Sequence, residues 1–103
     1  MGKETIIIEG KEFFAIQTLK DLVTVCDRQK SILYDVFVEP VVEDFYYIAK
    51  NEKDESVYSI CETILSQYIY YSNDGYIIAH KMPCSMKKFV GEMKDRIDEK
   101  EFE

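Results

Sequence analysis

His80 and Cys84, with three residues between them in His80-Lys81-Met82-Pro83-Cys84, are the pair in this sequence whose residue types could do chemistry. Cys84 stands just before a predicted helix, where a thiol pKa falls, and His80 could act as its base. No oxyanion-hole motif and no orienting acid accompany them. A thiol enzyme using Cys84 and His80 is therefore the least favoured of the three functional hypotheses developed below. The prediction is that the protein is not an enzyme.

Metal and cofactor sites have little support in the pattern of residues. Structural zinc needs four ligands in close pairs, and the cysteines Cys26, Cys61 and Cys84 are widely spaced. The four glycines are scattered, whereas phosphate-binding loops need several at fixed spacing. The prediction is no metal and no cofactor. An odd number of unpaired thiols predicts buried cysteines and a reducing compartment, with the cytoplasm as the expected location.

Charge is the most informative part of the composition. The chain has a net charge of −7, and residues 35–62 hold eight acids and two bases, a local charge of −6. No cluster of lysine and arginine is present to replace the counterions of phosphates, so the sequence predicts no direct nucleic-acid binding and no membrane-surface binding. No apolar run approaches the ~20 residues that a membrane-spanning helix needs.

Tyrosines are interleaved with the acids of this segment, and tyrosine supplies large contact area at low entropic cost. An acidic face with tyrosines suits a basic partner surface. The leading hypothesis is a non-catalytic protein-binding module, most plausibly a small inhibitor that covers a basic, nucleic-acid-binding surface of a partner in the style of anti-CRISPR or anti-restriction proteins from phages or mobile elements. The alternative is a self-associating structural or adaptor subunit, hence a homo-oligomer. The predicted partner-binding residues are Glu39, Glu43, Asp44, Tyr46, Tyr47, Glu52, Asp54, Glu55, Tyr58 and Glu62.

The elements that would position these residues begin with two hairpins. Residues 67–81 are predicted to form a tyrosine-rich hairpin around Ser72-Asn73-Asp74-Gly75, and Thr5–Ile16 an earlier one that turns at Glu9-Gly10. Two registers are predicted for the later hairpin, with Tyr71 opposite either Ile78 or Tyr76. Both registers place the same residues on one face: Ile69, Tyr71, Tyr76, Ile78 and His80.

The helices follow from caps and apolar spacing. Thr18 is predicted to cap a helix that runs to about Val38, with a strand over ILYDVFV (32–38) as the competing interpretation. Pro40 is predicted to produce a kink or to begin a new helix, followed by a loop over 51–55. A helix over 56–66 is predicted to be capped by Ser56 or Ser59. A last helix is predicted after a Ser85 cap, with an apolar stripe of Met86, Phe89, Val90, Met93 and Ile97.

Together these patterns predict one small α+β domain over residues 1–103. Its short antiparallel sheet includes the tyrosine-rich hairpin and packs with three or four helices. Because tyrosine dominates the 14% aromatic content, the core is expected to be rich in tyrosine.

Overall fold

A computed structural model describes residues 4–28 and 40–101 of the chain, with side chains up to Ile97. These residues form a four-stranded antiparallel sheet in the order β1-β2-β3-β4, together with helices α1 to α4. The α+β fold predicted from the sequence is confirmed. The elements in chain order are β1 Thr5–Ile8, β2 Lys11–Ala15, α1 Leu19–Arg28, α2 Pro40–Asn51, α3 Glu55–Tyr68, β3 Ile69–Tyr71, β4 Ile77–Ala79 and α4 Cys84–Glu101.

The first hairpin turns at the predicted corner. Glu9 and Gly10 both have positive φ, 52° and 80°, and join strands paired from Ile8↔Lys11 onwards. Positive φ at both turn residues is the geometry that matches the twist of two strands joined by a two-residue loop. The strand-turn-strand prediction for residues 5–16 is therefore confirmed.

The second hairpin forms where predicted, but both predicted registers were wrong. Tyr71 lies opposite Ile77, because Ser72 extends the ladder: its N–H donates to the Tyr76 carbonyl at 2.9 Å. The loop is thus Asn73-Asp74-Gly75, a three-residue connection with Gly75 at φ 99°. A one-residue slip exchanges the faces of β4. The predicted grouping of Ile78 with Tyr71 is corrected accordingly.

Pairing of β2 with β3, Phe14 opposite Tyr71, joins the two hairpins into one sheet. One face of the sheet meets the helices, and Ile69 on that face is fully buried in the main core. The other face forms a separate cluster of strand residues: Phe13, Ala15 and Tyr70, with Ile6, Ile8 and Ile78 packed against them.

The buried residues of the main core are mostly aliphatic and include no described tyrosine, so the expectation of a tyrosine-rich core was wrong; five partly buried tyrosines pack around it. Tyr70 is the one described tyrosine that is buried, at 8% exposure. The phenolic oxygen favours positions at the boundary, where one end of the side chain stays wet. The buried members of the main core are Ile16, Leu19, Leu22, Cys26, Val41, Val42, Phe45, Ile48, Cys61, Ile64, Leu65, Ile69, Met82, Val90 and Ile97.

Two helix starts are as predicted. The Thr18 hydroxyl accepts the N–H of Asp21 at 3.0 Å, which caps α1, and α2 begins at Pro40. Proline suits this first position because its missing N–H would have no helical partner there. The predicted course of the first helix beyond Arg28, and the competing strand over 32–38, lie outside the described residues.

Two predicted caps were wrong. Asp54, not Ser56 or Ser59, caps α3: its carboxylate accepts the backbone N–H and the hydroxyl of Ser56 at 2.9 and 2.6 Å. At α4 the Pro83 carbonyl accepts the N–H groups of Met86 and Lys87, so Ser85 lies inside the first turn. Ser56 and Ser85 each lie two positions after the residue that precedes the helix, Asp54 and Pro83 respectively.

Helix α2 is the centre of the helical layer, since it contacts α1, α3, α4 and β4. Val90 and Ile97 of α4 are buried as the predicted stripe requires, while Met86 at its start is exposed. Within the described ranges, none of the helices combines the length and apolar character needed to cross a bilayer.

Candidate functional site

The middle of the predicted binding surface is the outer side of α2. Glu43 is exposed there, and Tyr46 beside it is half-buried. The Tyr46 hydroxyl donates to the Asp27 carboxylate of α1 at 2.7 Å. Lys50 lies over the Tyr46 ring, 5.3 Å from its centroid, and 3.8 Å from the other Asp27 oxygen. On this side of α2, Tyr46, Asp27 and Lys50 therefore form a surface network in which Lys50 offsets the charge of Asp27, while Glu43 extends beside it.

Tyr47 lies on the opposite flank of α2, against α4. The Lys94 ammonium is 5.4 Å from the centroid of its ring. Asp44 faces the same helix, because a Cβ added at Gly91 would stand 3.6 Å from one of its carboxylate oxygens. The two adjacent tyrosines thus fill the two seams beside α2, and neither presents its whole ring to solvent.

Glu52 follows the end of α2 and is the most enclosed of the predicted residues. Its side chain is 4% exposed and forms an ion pair with the Arg96 guanidinium of α4. Its other oxygen accepts the N–H groups of Lys53 and Asp54 at 3.1 and 2.9 Å. A carboxylate with this many partners holds the α2–α3 connection against α4.

Asp54 and Glu62 also hold local structure. As the cap of α3, Asp54 has a lowered pKa, chiefly because the Ser56 hydroxyl donates to it and then because the Ser56 N–H does. Glu62 accepts the backbone N–H of Leu19 at 3.0 Å, at the first turn of α1. Each carboxylate satisfies helix N–H groups that have no partner within their own helix.

One concave surface does bring predicted residues together. We name it the corner pocket: a cavity of about 400 Å³ lined by Glu52, Lys53, Glu55, Tyr58 and Ser59. Glu55 is exposed at the start of α3, and Tyr58 stands one turn further along. Partial burial, and then the nearby charge of Glu62, raise the pKa of the Tyr58 phenol, so that it stays a neutral donor.

The ten predicted residues therefore do not form one continuous face. Glu39 lies outside the described residues. Three of the others meet in the corner pocket, while Tyr46 and Tyr47 face different helices. Sequence reasoning did not include Lys53 and Ser59, although both lie within the acidic segment between chosen residues. It also missed Arg96, whose pairing with Glu52 spans 44 positions and leaves no local signal.

The thiols divide into two classes. Cys26 and Cys61 are buried, and burial raises the pKa of each, to about 12 and about 11 respectively. Cys84 is exposed, so the expectation that all three are buried was wrong for this residue. The Cys84 backbone begins α4, whereas the ring of His80 stands edge-on to that of Tyr70, with centroids 6.1 Å apart.

In residues 4–28 and 40–97, no three histidine, cysteine, aspartate or glutamate side chains are grouped so as to hold a metal ion. Comparison of the chain with models of known protein families, with curated proteins and with solved structures finds no match. Function is therefore inferred from the geometry of the side chains.

Proposed function

We propose that the protein is a non-catalytic binding module that covers a basic surface of a partner protein. The observation that carries the proposal is the corner pocket, where the exposed Glu55 carboxylate and the Tyr58 ring line a cavity of about 400 Å³. A carboxylate beside an aromatic ring suits an arginine or lysine side chain, which can pair with the acid and lie against the ring. The net charge of −7 would draw such a partner towards the chain.

The bases near the proposed surface differ in how far their charges are offset. Arg96 is paired with Glu52, Lys50 lies near Asp27, and Lys94 lies over Tyr47. Lys53 lines the pocket and is exposed, so its positive charge stands close to Glu55. Glu43 and Glu55 extend into solvent. Complementary charge of this kind speeds association and excludes partners of like charge.

In its sharper form, the proposal is an inhibitor that competes with nucleic acid for the partner's basic groove. Basic grooves on proteins are commonly built to hold phosphates, and an acidic protein surface can occupy them. On this proposal the protein acts by occupancy, without covalent chemistry. A partner held this way is released when salt screens the charges, since the Debye length shortens as ionic strength rises.

The test is a pull-down from native host extract, with the chain as bait, at about 50 and about 200 mM salt. We expect a basic nucleic-acid-binding protein to be captured at the lower salt, to be captured less at the higher salt, and to be displaced by added DNA. The double variant Glu55→Gln/Tyr58→Ala should capture several-fold less. Glu92→Gln is the matched control, because it removes an exposed carboxylate of α4 that does not line the pocket.

Three outcomes would count against the proposal: no partner at either salt concentration, a partner whose capture does not depend on salt, or equal capture by the double variant and the wild type. Circular dichroism of each variant establishes that it is folded. Light scattering over a concentration series examines the alternative of a self-associating subunit, which predicts a mass that rises above that of the monomer.

A further inference from the structure

The edge of the sheet at β1 carries a second inference, independent of the corner pocket. Among the described residues, β2 is the sole strand beside β1. The Ala15 N–H donates to the Glu4 carbonyl at 2.9 Å, and hydrogen-bonded pairs alternate along an antiparallel ladder. Ile6 and Ile8 therefore use their backbone groups towards β2. The N–H and C=O groups of Thr5 and Ile7 point to the open edge.

Ile7, at the middle of this edge, is 72% exposed and is the most exposed large hydrophobic residue that the structure describes. Thr5 is exposed as well. Edge strands usually carry a proline, a lysine or a bulge that prevents other strands from adding to them. The four residues of β1, Thr-Ile-Ile-Ile, contain neither proline nor lysine, and their pairing with β2 is continuous.

The opposite edge of the sheet lies closer to the helices. Strand β4 has only three residues, and the side chains of Ile77 and Ala79, whose backbone groups point outwards, pack against the main core. Helix α2 contacts this strand. Because β1 is longer and carries the exposed Ile7, it is the edge at which an added strand is expected to pair.

Charge decides what kind of strand fits. Glu4, Glu9 and Glu12 are all exposed around β1, and Glu12 is the residue paired with Ile7. Lys11, the base of this hairpin in the described residues, is committed to Asp74 at 2.7 Å. A second copy of the chain would bring two sets of three carboxylates together, which like-charge repulsion opposes. A strand with lysine or arginine would meet them favourably.

We propose that β1 binds an extended basic segment of another protein by strand addition. The segment pairs its backbone with Thr5 and Ile7 and sets an apolar side chain beside Ile7, on the face that Ile7 shares with Glu12. Its alternate, basic side chains lie on the other face, where Glu4 is, and near Glu9 at the turn. Backbone pairing supplies affinity, and the acidic rim selects basic sequences. This surface lies on a different element from the corner pocket, so either site can fail without the other.

The probe is a blocked seven-residue peptide of alternating lysine and valine, with an alternating glutamate and valine peptide as control. Amide hydrogen exchange measured by NMR reports the contact directly. We expect saturating lysine peptide to slow exchange at Thr5 and Ile7 by about tenfold or more, because only strand addition gives these two N–H groups a new acceptor. The glutamate peptide should leave both unchanged.

Two variants sharpen the test. Ile7→Pro removes the edge N–H without removing a β1–β2 hydrogen bond, because that N–H faces outwards, and proline is tolerated in edge strands. It should weaken peptide binding by about tenfold, the loss expected for one hydrogen bond and its strand contact. Ile7→Val keeps the N–H and should bind as the wild type does. The triple variant Glu4→Gln, Glu9→Gln, Glu12→Gln should reduce the salt dependence of binding, because three of the carboxylates that attract the peptide are neutralised.

Several results would overturn the inference. The first is no binding of the lysine peptide up to about 1 mM, which corresponds to about 4 kcal/mol of binding free energy. The second is slowed amide exchange at α2 or α3 instead of β1. The third is an unchanged affinity of a folded Ile7→Pro variant for the peptide. If that variant proves unfolded, the triple variant decides: binding with an unchanged salt dependence rejects the acidic rim as the selecting feature. Dimerisation that protects Thr5 and Ile7 in the absence of peptide would identify a second copy as the occupant.

Discussion

The two hairpins of the sheet share their pattern of pairing and differ in what covers them. Ile69 of β3 is fully buried beneath the helices, while Ile7 of β1 is 72% exposed. Both strands are rich in the β-branched and aromatic residues that favour strands. The difference teaches that sequence preference forms each hairpin locally, whereas its stability comes from the surface packed on it. A hairpin with one open edge is also the one available to a partner.

Their turns differ as well. The first uses two residues, Glu9 and Gly10, and the second uses three, ending in Gly75. In the second hairpin the Ser72 hydroxyl accepts the N–H of Tyr76 at 3.1 Å, and Ser72 itself is 1% exposed. The turn of the second hairpin is thus held by side-chain and backbone hydrogen bonds together. The turn of the first hairpin is defined by the backbone geometry of Glu9 and Gly10.

Matched substitutions in the strands should give the largest contrast. Ile69→Thr places a hydroxyl in a fully buried site and should lower the free energy of unfolding by about 3 kcal/mol, while Ile7→Thr should change it by less than about 0.5 kcal/mol. Threonine keeps the β-branched shape in both, so strand preference is controlled. Urea unfolding followed by circular dichroism measures both values. Equal losses at the two positions would contradict the difference in coverage.

Glycine substitutions in the turns should have a smaller effect. Alanine is strained at positive φ, and Gly75 at 99° lies further from the left-handed minimum than Gly10 at 80°. We expect Gly75→Ala to cost about 2 kcal/mol and Gly10→Ala about 1 kcal/mol. Thermal unfolding compares them, with Gly91→Ala in α4 as a control that should be neutral or stabilising, because its Cβ would have ordinary clearance. The reverse order at the two turns would argue against the geometry described.

The smallest effect concerns the link between the hairpins. Lys11 of β2 donates to Asp74, in the loop of the second hairpin, at 2.7 Å. This hydrogen bond is the largest cause, and the bond from the Ser72 hydroxyl the second, of a pKa of Asp74 below its ordinary 3.8. A lowered carboxyl pKa stabilises the fold at pH above the unfolded value, and the contribution is lost as pH falls through the folded value. Lys11→Met should move the Asp74 pKa upwards and reduce this acid dependence. NMR titration of the Asp74 carboxyl measures it, and an unchanged pKa would show that Lys11 is not the cause.

The features predicted correctly are those encoded within a few residues. The Thr18 cap, the start of α2 at Pro40 and the corner at Glu9-Gly10 each follow from local backbone chemistry. The predicted registers of the second hairpin were wrong because Ser72 pairs with Tyr76 in the ladder, which shifts the loop by one position. Nothing in the residue types alone indicates which of several small polar residues will do so.

The candidate site was less predictable, because its geometry depends on residues far apart in the chain. Glu52 was chosen for its charge, but Arg96 encloses it from α4. Tyr46 and Tyr47 are neighbours in sequence and diverge in space, since adjacent helical positions point about 100° apart and each meets a different helix. The charge of the segment therefore did not indicate which of its acidic side chains are exposed to solvent.

The seam between β2 and β3 has a consequence for how the protein folds. Each hairpin can close on the ~1–10 μs scale because its strands are adjacent in sequence. The seam is different: Lys11 and Asp74, which meet across it, are 63 positions apart. Bringing such distant residues together carries a loop-closure entropy that local contacts do not have. We expect assembly of the seam, rather than formation of either hairpin, to set the folding rate. The β1–β2 hairpin would then remain unpacked until the helices and the β3–β4 hairpin have formed.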